Sequence, residues 1–236
     1  MFEEDPTFHP PDNSDCQIWR YMDLSGFLHL LDTESLHFTR ADTLEDPFEG
    51  TLPVPNVDAM RAFDESRRQE FGDWNATDTV ISLYKAQRTQ ECVSCWHMNE
   101  HESAAMWKLY LKSDEGIAIQ STYNNLVASF HETPDLVIYA GMVQYLDFQT
   151  QKINLNNILL PIMHKRTSFV HEREIRAVAL GRATSDRGKT LLTLNEFDES
   201  GVDVAVDVRK LIQEVRLAPT TPPWFERLIK IGRAHV

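Results

Sequence analysis

The stretch that says most about the fold runs from residue 169 to residue 180 and reads Phe-Val-His-Glu-Arg-Glu-Ile-Arg-Ala-Val-Ala-Leu. Successive side chains of a β-strand point to opposite faces. One face of this strand would carry Arg173 and Ile175, and the other would carry Glu172, Glu174 and Arg176. Charged groups that enter a core are unfavourable unless they meet a partner or a ligand. We therefore predict that this strand forms the edge of a functional site.

On both sides of this strand the chain alternates short strands and helices. The pattern predicts strands at residues 17–22, 36–39, 92–97, 116–121, 137–139, 142–146, 202–208 and 213–217. It predicts helices at residues 23–32, 57–72, 103–111, 122–130, 154–167 (broken at Pro161) and 223–230. This mixture indicates an α+β fold, as a single mixed domain with a largely antiparallel central sheet.

Length and the two ends set the expected domain boundaries. A chain of 236 residues can bury one full core, which favours one domain over residues 16–230. Residues 1–15 are acidic and contain prolines, and we expect them to form a flexible arm. Residues 231–236 are what one reading frame of a widely used sequencing adapter encodes. We expect a non-native tail, a metagenomic source and a truncated natural C-terminus.

Charge and cysteine content exclude several classes of partner. The formal charge of −13 opposes binding of nucleic acid or anionic lipid by the surface as a whole. No apolar stretch approaches the length of a membrane span, and the acidic start is unlike a signal peptide. Three cysteines, an odd number, favour a reducing compartment over a disulfide framework. The sequence therefore predicts a cytoplasmic protein without a membrane partner.

A group of possible metal ligands lies in the middle of the chain. Cys92, Cys95, His97 and His101 are spaced like the ligands of a small zinc site. Residues 92–97, however, have the composition of a buried strand, on which the two cysteines would point to opposite faces. Free cysteine is in most cases a small core residue. We predict that both cysteines are structural and that no metal binds.

The turn Asp46-Pro47-Phe48-Glu49 has two interpretations. Asp at a helix N-cap, Pro at the first position and Glu at the third form a capping box for a single helical turn. Alternatively, Glu45, Asp46 or Glu49 faces a ligand. The sequence leaves both interpretations open.

Positive charge is concentrated late in the chain. Residues 161–190 carry a local charge of +4, since seven basic residues stand against Glu172, Glu174 and Asp186. The basic residues are Lys165, Arg166, Arg173, Arg176, Arg182, Arg187 and Lys189. This segment predicts either a site for an anionic small molecule, such as one bearing phosphates, or a solvated helix end.

Several short motifs share their order with a known family. They are Trp19-Arg20-Tyr21, Leu36-His37-Phe38-Thr39, Glu45-Asp46-Pro47-Phe48-Glu49, Val93-Ser94-Cys95-Trp96, Met106-Trp107-x-x-Tyr110, Gly116-Ile117-Ala118-Ile119, Glu172-x-Glu174-x-Arg176 and Val215-Arg216-Leu217-Ala218-Pro219. The chain resembles the bacterial domain of unknown function family 2971 from about residue 17 to residue 219. The resemblance supplies no established activity. It implies a bacterial protein, and some members resemble components of stress-response or phage-defence loci.

A second resemblance concerns three positions along the chain. The ADP-ribosyltransferase fold carries Arg or His on an early strand, a Ser-rich motif on a middle strand and Glu-x-Glu on a late strand. Arg20, Ser94 and the pair Glu172 and Glu174 occur here in that order. The resemblance implies NAD as a substrate, cleaved by a transferase or a hydrolase, with no metal.

The same resemblance implies a role for each site residue. Glu174, with Glu172, would be catalytic, because a carboxylate can stabilise the oxocarbenium character that develops on the ribose. The NAD-binding residues would be Arg20, Tyr21, Ser94, Arg176 and Lys165. Arg20 would hold a phosphate or ribose, and Ser94 would brace the nicotinamide pocket.

Two other interpretations stay open. Glu174 and Arg176 could form a purely structural buried ion pair that ties the last strands together. The domain could also be a non-catalytic module that senses a nucleotide or binds a protein partner. For the NAD-cleaving enzyme and for the non-catalytic module alike, we expect a small anionic ligand or nucleotide, with a protein as a further partner.

Overall fold

The fold is α+β, with helices packed on a largely antiparallel sheet, as the sequence predicts. The computed structural model describes residues 2–110, 115–184, 190–192 and 197–232. The strands are β1 (Gln17–Asp23), β2 (Ser35–Arg40), β3 (Glu91–Met98), β4 (Gly116–Thr122), β5 (Leu136–Met142), β6 (Gln144–Leu146), β7 (His164–Arg166), β8 (Glu174–Thr184), β9 (Thr190–Leu192), β10 (Val202–Ala205) and β11 (Glu214–Leu217). The helices are α1 (Leu24–Thr33), α2 (Val54–Phe71), α3 (Ala76–Gln87), α4 (Ala104–Tyr110), α5 (Tyr123–Ser129), α6 (Val208–Leu211) and α7 (Pro223–Gly232).

The central strand of the sheet is β3, and the sheet forks along one of its edges. Strand β8 pairs with β3 along the other edge, from Leu180 opposite Glu91 to Glu174 opposite His97. On the forked edge, β2 pairs with the start of β3 and β1 pairs with its end. Strand β10 extends the β2 branch, whereas β4 and β11 extend the β1 branch. Because β1 and β2 separate beside β3, side chains can enter the gap between them.

The two faces of the sheet bury different side chains. On one face Ile175, Ala177 and Ala179 of β8 join the largest apolar cluster, which includes residues of α1, α5, α6 and α7. On the opposite face Val178 and Leu180 join a second cluster. This alternation agrees with the period-2 interpretation of β8, and it directs Glu174 and Arg176 to the second face. Clusters of this kind supply most of the free energy of folding, at roughly 25 cal/mol per Å² of apolar area buried.

Helix α1 forms for reasons that the sequence shows. The Asp23 carboxylate accepts a hydrogen bond from the backbone N–H of Gly26 at 2.7 Å, which caps the first turn. Phe27 and Leu30 of the helix are buried in the largest apolar cluster. The helix ends at Thr33, and the next residue, Glu34, adopts a left-handed φ of 47°. The predicted helix at residues 23–32 is therefore confirmed.

One helix prediction was wrong, and one helix was not predicted. Residues 154–167 form no α-helix: a 3-10 turn at Pro161–Met163 is followed by β7 and by a second 3-10 segment at Thr167–Glu172. The Asn154 and Asn157 side chains accept hydrogen bonds from backbone N–H groups two residues on, which competes with helix formation. Helix α3 has no counterpart among the predicted helices, and it is anchored where the Asp64 carboxylate accepts from two N–H groups at its start.

The predicted strand at residues 174–180 is confirmed by β8, but the residues before it, read as part of the same extended segment, are not extended. Residues Thr167–Glu172 form a 3-10 segment, and Arg173 adopts a left-handed φ of 41° before β8 starts at Glu174. Glu172 therefore approaches the second face from a turn rather than from the strand itself. This change keeps Glu172 near Glu174 but gives it a different environment.

Residues 2–15, expected to be a flexible arm, instead pack against the sheet. Phe2 forms a bridge with Ile138, and the Glu3 N–H donates to the Ile138 carbonyl at 2.9 Å. Phe8 is buried, and its ring stacks on that of Tyr139 with centroids 5.0 Å apart. The arm fits because Gly141 has no side chain: a Cβ there would lie 2.8 Å from the Phe8 carbonyl carbon.

The C-terminal prediction is only partly covered by the structure. Helix α7 continues through Gly232, so the first two residues of the expected tail are helical, while residues 233–236 lie outside the described residues. No helix in the described ranges is both long and apolar enough to cross a membrane.

Candidate functional site

A cavity of about 390 Å³ lies on the second face of the sheet, beside the fork. Strands β1, β3 and β8 form its floor, α4 forms one wall, and residues 44–49 and 165–172 form the rest of the rim. Cavities of roughly 300–1,000 Å³ are typical of small-molecule sites. The cavity therefore has the size of a ligand site, and it contains most of the residues selected from the sequence.

Five charged side chains form a buried cluster under the cavity. The Lys165 ammonium lies 2.5 Å from Glu172, 2.8 Å from Glu174 and 3.1 Å from Glu49. The Arg176 guanidinium contacts Glu174 and Glu49, each at 2.6 Å, and also donates to the Ile162 carbonyl. Charges in such a cluster are stable together, but each depends on its partners because removing one leaves another uncompensated.

The two carboxylates of the Glu-x-Glu motif have opposite pKa shifts. Burial alone would raise the pKa of Glu174, but the charges of Arg176 and Lys165 outweigh it and lower the pKa to about 2. Burial raises the pKa of Glu172, and Lys165 only partly offsets this effect. Both Glu174 oxygens accept from cations, whereas no described residue donates to Glu172 Oε1. Glu172 is therefore the carboxylate that is free to contact a ligand.

Arg20 reaches the cavity through the fork between β1 and β2. Its guanidinium donates to the Ser94 hydroxyl and, at 2.8 Å, to the His37 carbonyl. It lies 6.0 Å from the centre of the Trp96 ring, and burial lowers its pKa. No carboxylate in the described ranges lies within ion-pair distance of Arg20. A buried guanidinium held only by neutral groups is suited to bind an anion.

Ser94 does not line the cavity but contacts Arg20, which does. Its side chain is buried, and its hydroxyl oxygen accepts from Arg20 and from the Trp96 indole N–H at 3.1 Å. The structure thus brings the predicted residues Arg20, Glu172 and Glu174 to one cavity, with Ser94 positioning Arg20.

An aromatic wall stands on the β1 side of the cavity. The Tyr21 hydroxyl accepts from the Ser103 backbone N–H at 2.8 Å, which fixes the ring. Trp107 packs edge-on against Tyr21 at 4.9 Å between centroids, and Tyr110 stacks on it at 6.3 Å. Tyr21 and Tyr110 line the cavity and offer ring surfaces to a flat ligand.

His97, which the sequence suggests only as a metal ligand, lines the cavity. Its Nδ1 lies 2.6 Å from the Glu172 carbonyl oxygen, and a carbonyl only accepts hydrogen bonds. Nδ1 therefore carries the proton. Burial lowers the pKa of His97, which favours the neutral ring, and the buried Nε2 has no partner in the described part of the chain. The alternation of β3 places His97 on the same face as Cys95, a signal that could have identified it.

Asp46 both stabilises its own turn and faces the cavity, so each of the two interpretations of this turn holds in part. Its carboxylate accepts from the backbone N–H of Phe48 at 3.1 Å, which stabilises the turn, although no helix follows. The same carboxylate pairs with Arg166 at 3.0 Å and lines the cavity. Glu49 binds the two buried cations, and Glu45 also lines the cavity.

The expected excess of positive charge at the site is not found. Lys165, Arg166 and Arg176 are each paired with a carboxylate. The cavity lining carries five carboxylates, which belong to Glu45, Asp46, Glu49, Glu172 and Glu174, against the two cations Arg20 and Lys165. Carboxylates from residues 45–49 neutralise the basic segment, which its local sequence could not reveal. Arg187 and Lys189 lie outside the described residues.

The two cysteines of the possible metal motif face opposite ways. Cys92 joins the largest apolar cluster, whereas Cys95 packs on the second face and lines the cavity. Burial raises the pKa of both thiols, that of Cys92 to about 12. Within the described part of the chain, no three or more His, Cys, Asp or Glu side chains are grouped so that they could hold a metal ion.

Comparison of the chain with protein-family models, curated proteins and solved structures gives no match. The resemblance to family 2971 therefore stays a prediction.

Proposed function

We propose that the cavity binds NAD and that the protein cleaves the bond between nicotinamide and ribose. The ADP-ribose group would pass to a protein acceptor or to water. The observation that supports the proposal most is that Arg20, Glu172 and Glu174, from distant parts of the sequence, line one cavity beside the sheet fork. Within this proposal the protein acts in the bacterial cytoplasm, in stress or phage defence, without a metal.

The reaction needs one carboxylate and a place for the leaving group. When the bond between ribose C1′ and the pyridinium nitrogen breaks, its electron pair stays with nicotinamide, which leaves as a neutral molecule. Positive charge develops on the ribose, and a nearby carboxylate stabilises it. A hydroxyl, an amine or water then attacks C1′ and loses a proton.

The contacts favour a particular division of roles. Glu172 would hydrogen-bond the ribose through Oε1, because its other oxygen is held by Lys165. Glu174 would position Lys165 and Arg176, since both of its oxygens are occupied. Arg20 would hold a phosphate, and Tyr21 would stack on a ring of the ligand.

Release of free nicotinamide from NAD tests the proposal. The wild-type protein should release nicotinamide, and Glu172→Gln should slow release by at least tenfold, because the amide cannot supply the negative charge. Glu214→Gln is the matched control, since Glu214 is exposed, pairs with Arg216 on the surface and does not line the cavity. Absence of release by the wild-type protein, or equal rates for wild type and Glu172→Gln, would contradict the proposal.

A second candidate is a non-catalytic module that senses a nucleotide or binds a protein. It is favoured because both carboxylate oxygens of Glu174 already accept hydrogen bonds from Lys165 and Arg176. Among the described contacts, Glu172 Oε1 is then the one carboxylate oxygen of the Glu-x-Glu motif without a donor. This candidate predicts that NAD or another nucleotide raises the thermal unfolding temperature while no nicotinamide appears. The two measurements together separate the sensor from the enzyme.

A further inference from the structure

The neutral ring of His97 presents an unused hydrogen-bond acceptor at the cavity. Its side chain lines the cavity and is only 5% exposed. Nδ1 donates to the Glu172 carbonyl, so the lone pair is on Nε2. This nitrogen is buried without a partner in the ranges that the structure describes. A buried acceptor without a hydrogen bond is unfavourable, so a ligand N–H or O–H at this point would be favoured.

The surroundings of His97 restrict which ligand group can approach. Three carboxylates, those of Glu49, Glu172 and Glu174, lie in the same lining. The two cations that contact them, Lys165 and Arg176, are already shared among them. A ligand carboxylate would meet the lone pair of Nε2 and the oxygen atoms of Glu172, which repel it. A ligand amide or a cationic ring would meet complementary charge instead.

We propose that His97 is the specificity-determining acceptor of this cavity, and that its Nε2 accepts a hydrogen bond from a planar ligand that is neutral or cationic. The inference rests on the proposed function in one respect: it assigns the nicotinamide carboxamide as the donor. The cavity then selects the amide over the corresponding acid. His97 acts in binding and takes no part in bond breaking.

Calorimetric titration with three probes tests the inference. The probes are nicotinamide, 1-methylnicotinamide, which carries the positive charge of the NAD ring, and nicotinic acid. We expect 1-methylnicotinamide to bind most tightly and nicotinic acid at least tenfold more weakly than nicotinamide. Binding of the probes is independent of NAD cleavage, so it can succeed where nicotinamide release fails.

Three variants separate the acceptor from other effects of the histidine. His97→Asn keeps a donor near the position of Nδ1 and removes the acceptor, and it should weaken nicotinamide binding about tenfold. His97→Gln places an amide oxygen near the position of Nε2 and should restore much of the affinity. His164→Asn is the control, because Nδ1 of His164 also lies near a carbonyl, that of Leu160 at 2.7 Å, but His164 does not line the cavity.

Nitrogen NMR provides a readout that does not depend on a variant that folds. In the free wild-type protein, Nε2 of His97 should show the chemical shift of an unprotonated ring nitrogen, which should move on addition of nicotinamide. The inference is overturned if wild type does not bind nicotinamide, if nicotinic acid binds as tightly, or if the Nε2 shift is unchanged at saturation. Equal affinity of wild type and a folded His97→Asn would overturn it as well. Nicotinamide binding without NAD cleavage would instead remove only the proposed function.

Discussion

Replacing Lys165 by methionine tests the buried charge cluster. Lys165 provides one ammonium to Glu49, Glu172 and Glu174 at 2.5–3.1 Å, and its side chain is 5% exposed. Methionine fills a similar volume without the charge, which leaves three buried carboxylates with Arg176 as their only cation in the cluster. Removing one partner from a buried ion pair costs about 3–5 kcal/mol. We therefore expect Lys165→Met to lower the free energy of unfolding at pH 7 by about this amount.

The loss in Lys165→Met should depend on pH in a defined direction. Burial opposes ionisation of Glu174, yet the charges of Arg176 and Lys165 hold its folded-state pKa near 2, below the ordinary value of 4.5. A lowered pKa contributes stability above the unfolded-state pKa, and this stability is lost as pH falls through the folded-state pKa. The difference between Lys165→Met and wild type should therefore be largest near neutral pH and shrink below pH 4.5.

Urea unfolding followed by tryptophan fluorescence measures this difference, because Trp19 and Trp96 are buried in the sheet. Lys152→Met is the matched control, since Lys152 is exposed, and it should change stability by no more than about 0.5 kcal/mol. A loss below about 1 kcal/mol for Lys165→Met at pH 7 would refute the view that Lys165 is an essential counter-ion.

Two further predictions concern other buried groups. Burial raises the pKa of Glu91 to about 8, so the folded state keeps a proton that the unfolded state releases above pH 4.5. The free energy of unfolding should fall as pH rises between these two values, by at most about 1.4 kcal/mol per pH unit. Glu91→Gln should flatten this pH dependence in thermal unfolding. An unchanged slope would exclude Glu91 as its source. Gly141→Ala places a methyl group 2.8 Å from the Phe8 backbone and should lower the free energy of unfolding by about 1–3 kcal/mol. Proteolysis of the first fifteen residues should become faster. Unchanged proteolysis would mean that the position of the arm does not depend on this contact.

The local features of the sheet could be predicted from the sequence because they depend on neighbouring residues. The alternation of Ile175, Ala177 and Ala179 with Val178 directs one set into each apolar cluster. The N-cap Asp23 likewise marks the start of α1 within its own sequence. Such signals need only a strand period or a single hydrogen bond.

Long-range pairings could not be predicted in the same way. The sequence left open an anion site or a solvated helix end for the basic segment. Neither interpretation included its counter-ions Glu49 and Asp46, which lie more than a hundred residues earlier in the chain. The helix expected at residues 154–167 was lost to asparagine turns and to β7, whose pairing with β6 depends on tertiary contacts. The acceptor on His97 became evident only when the partner of its Nδ1 was known.

Calorimetric titration with NAD measures whether the cavity binds the proposed substrate. We expect one NAD per chain for wild type, and affinity at least tenfold weaker for Arg20→Gln, because a charge-assisted hydrogen bond to phosphate is worth about 1.5–3 kcal/mol. Arg209→Gln is the control, since Arg209 is exposed on α6 and does not line the cavity. Absence of binding to wild type, or equal affinity for wild type and Arg20→Gln, would contradict the account.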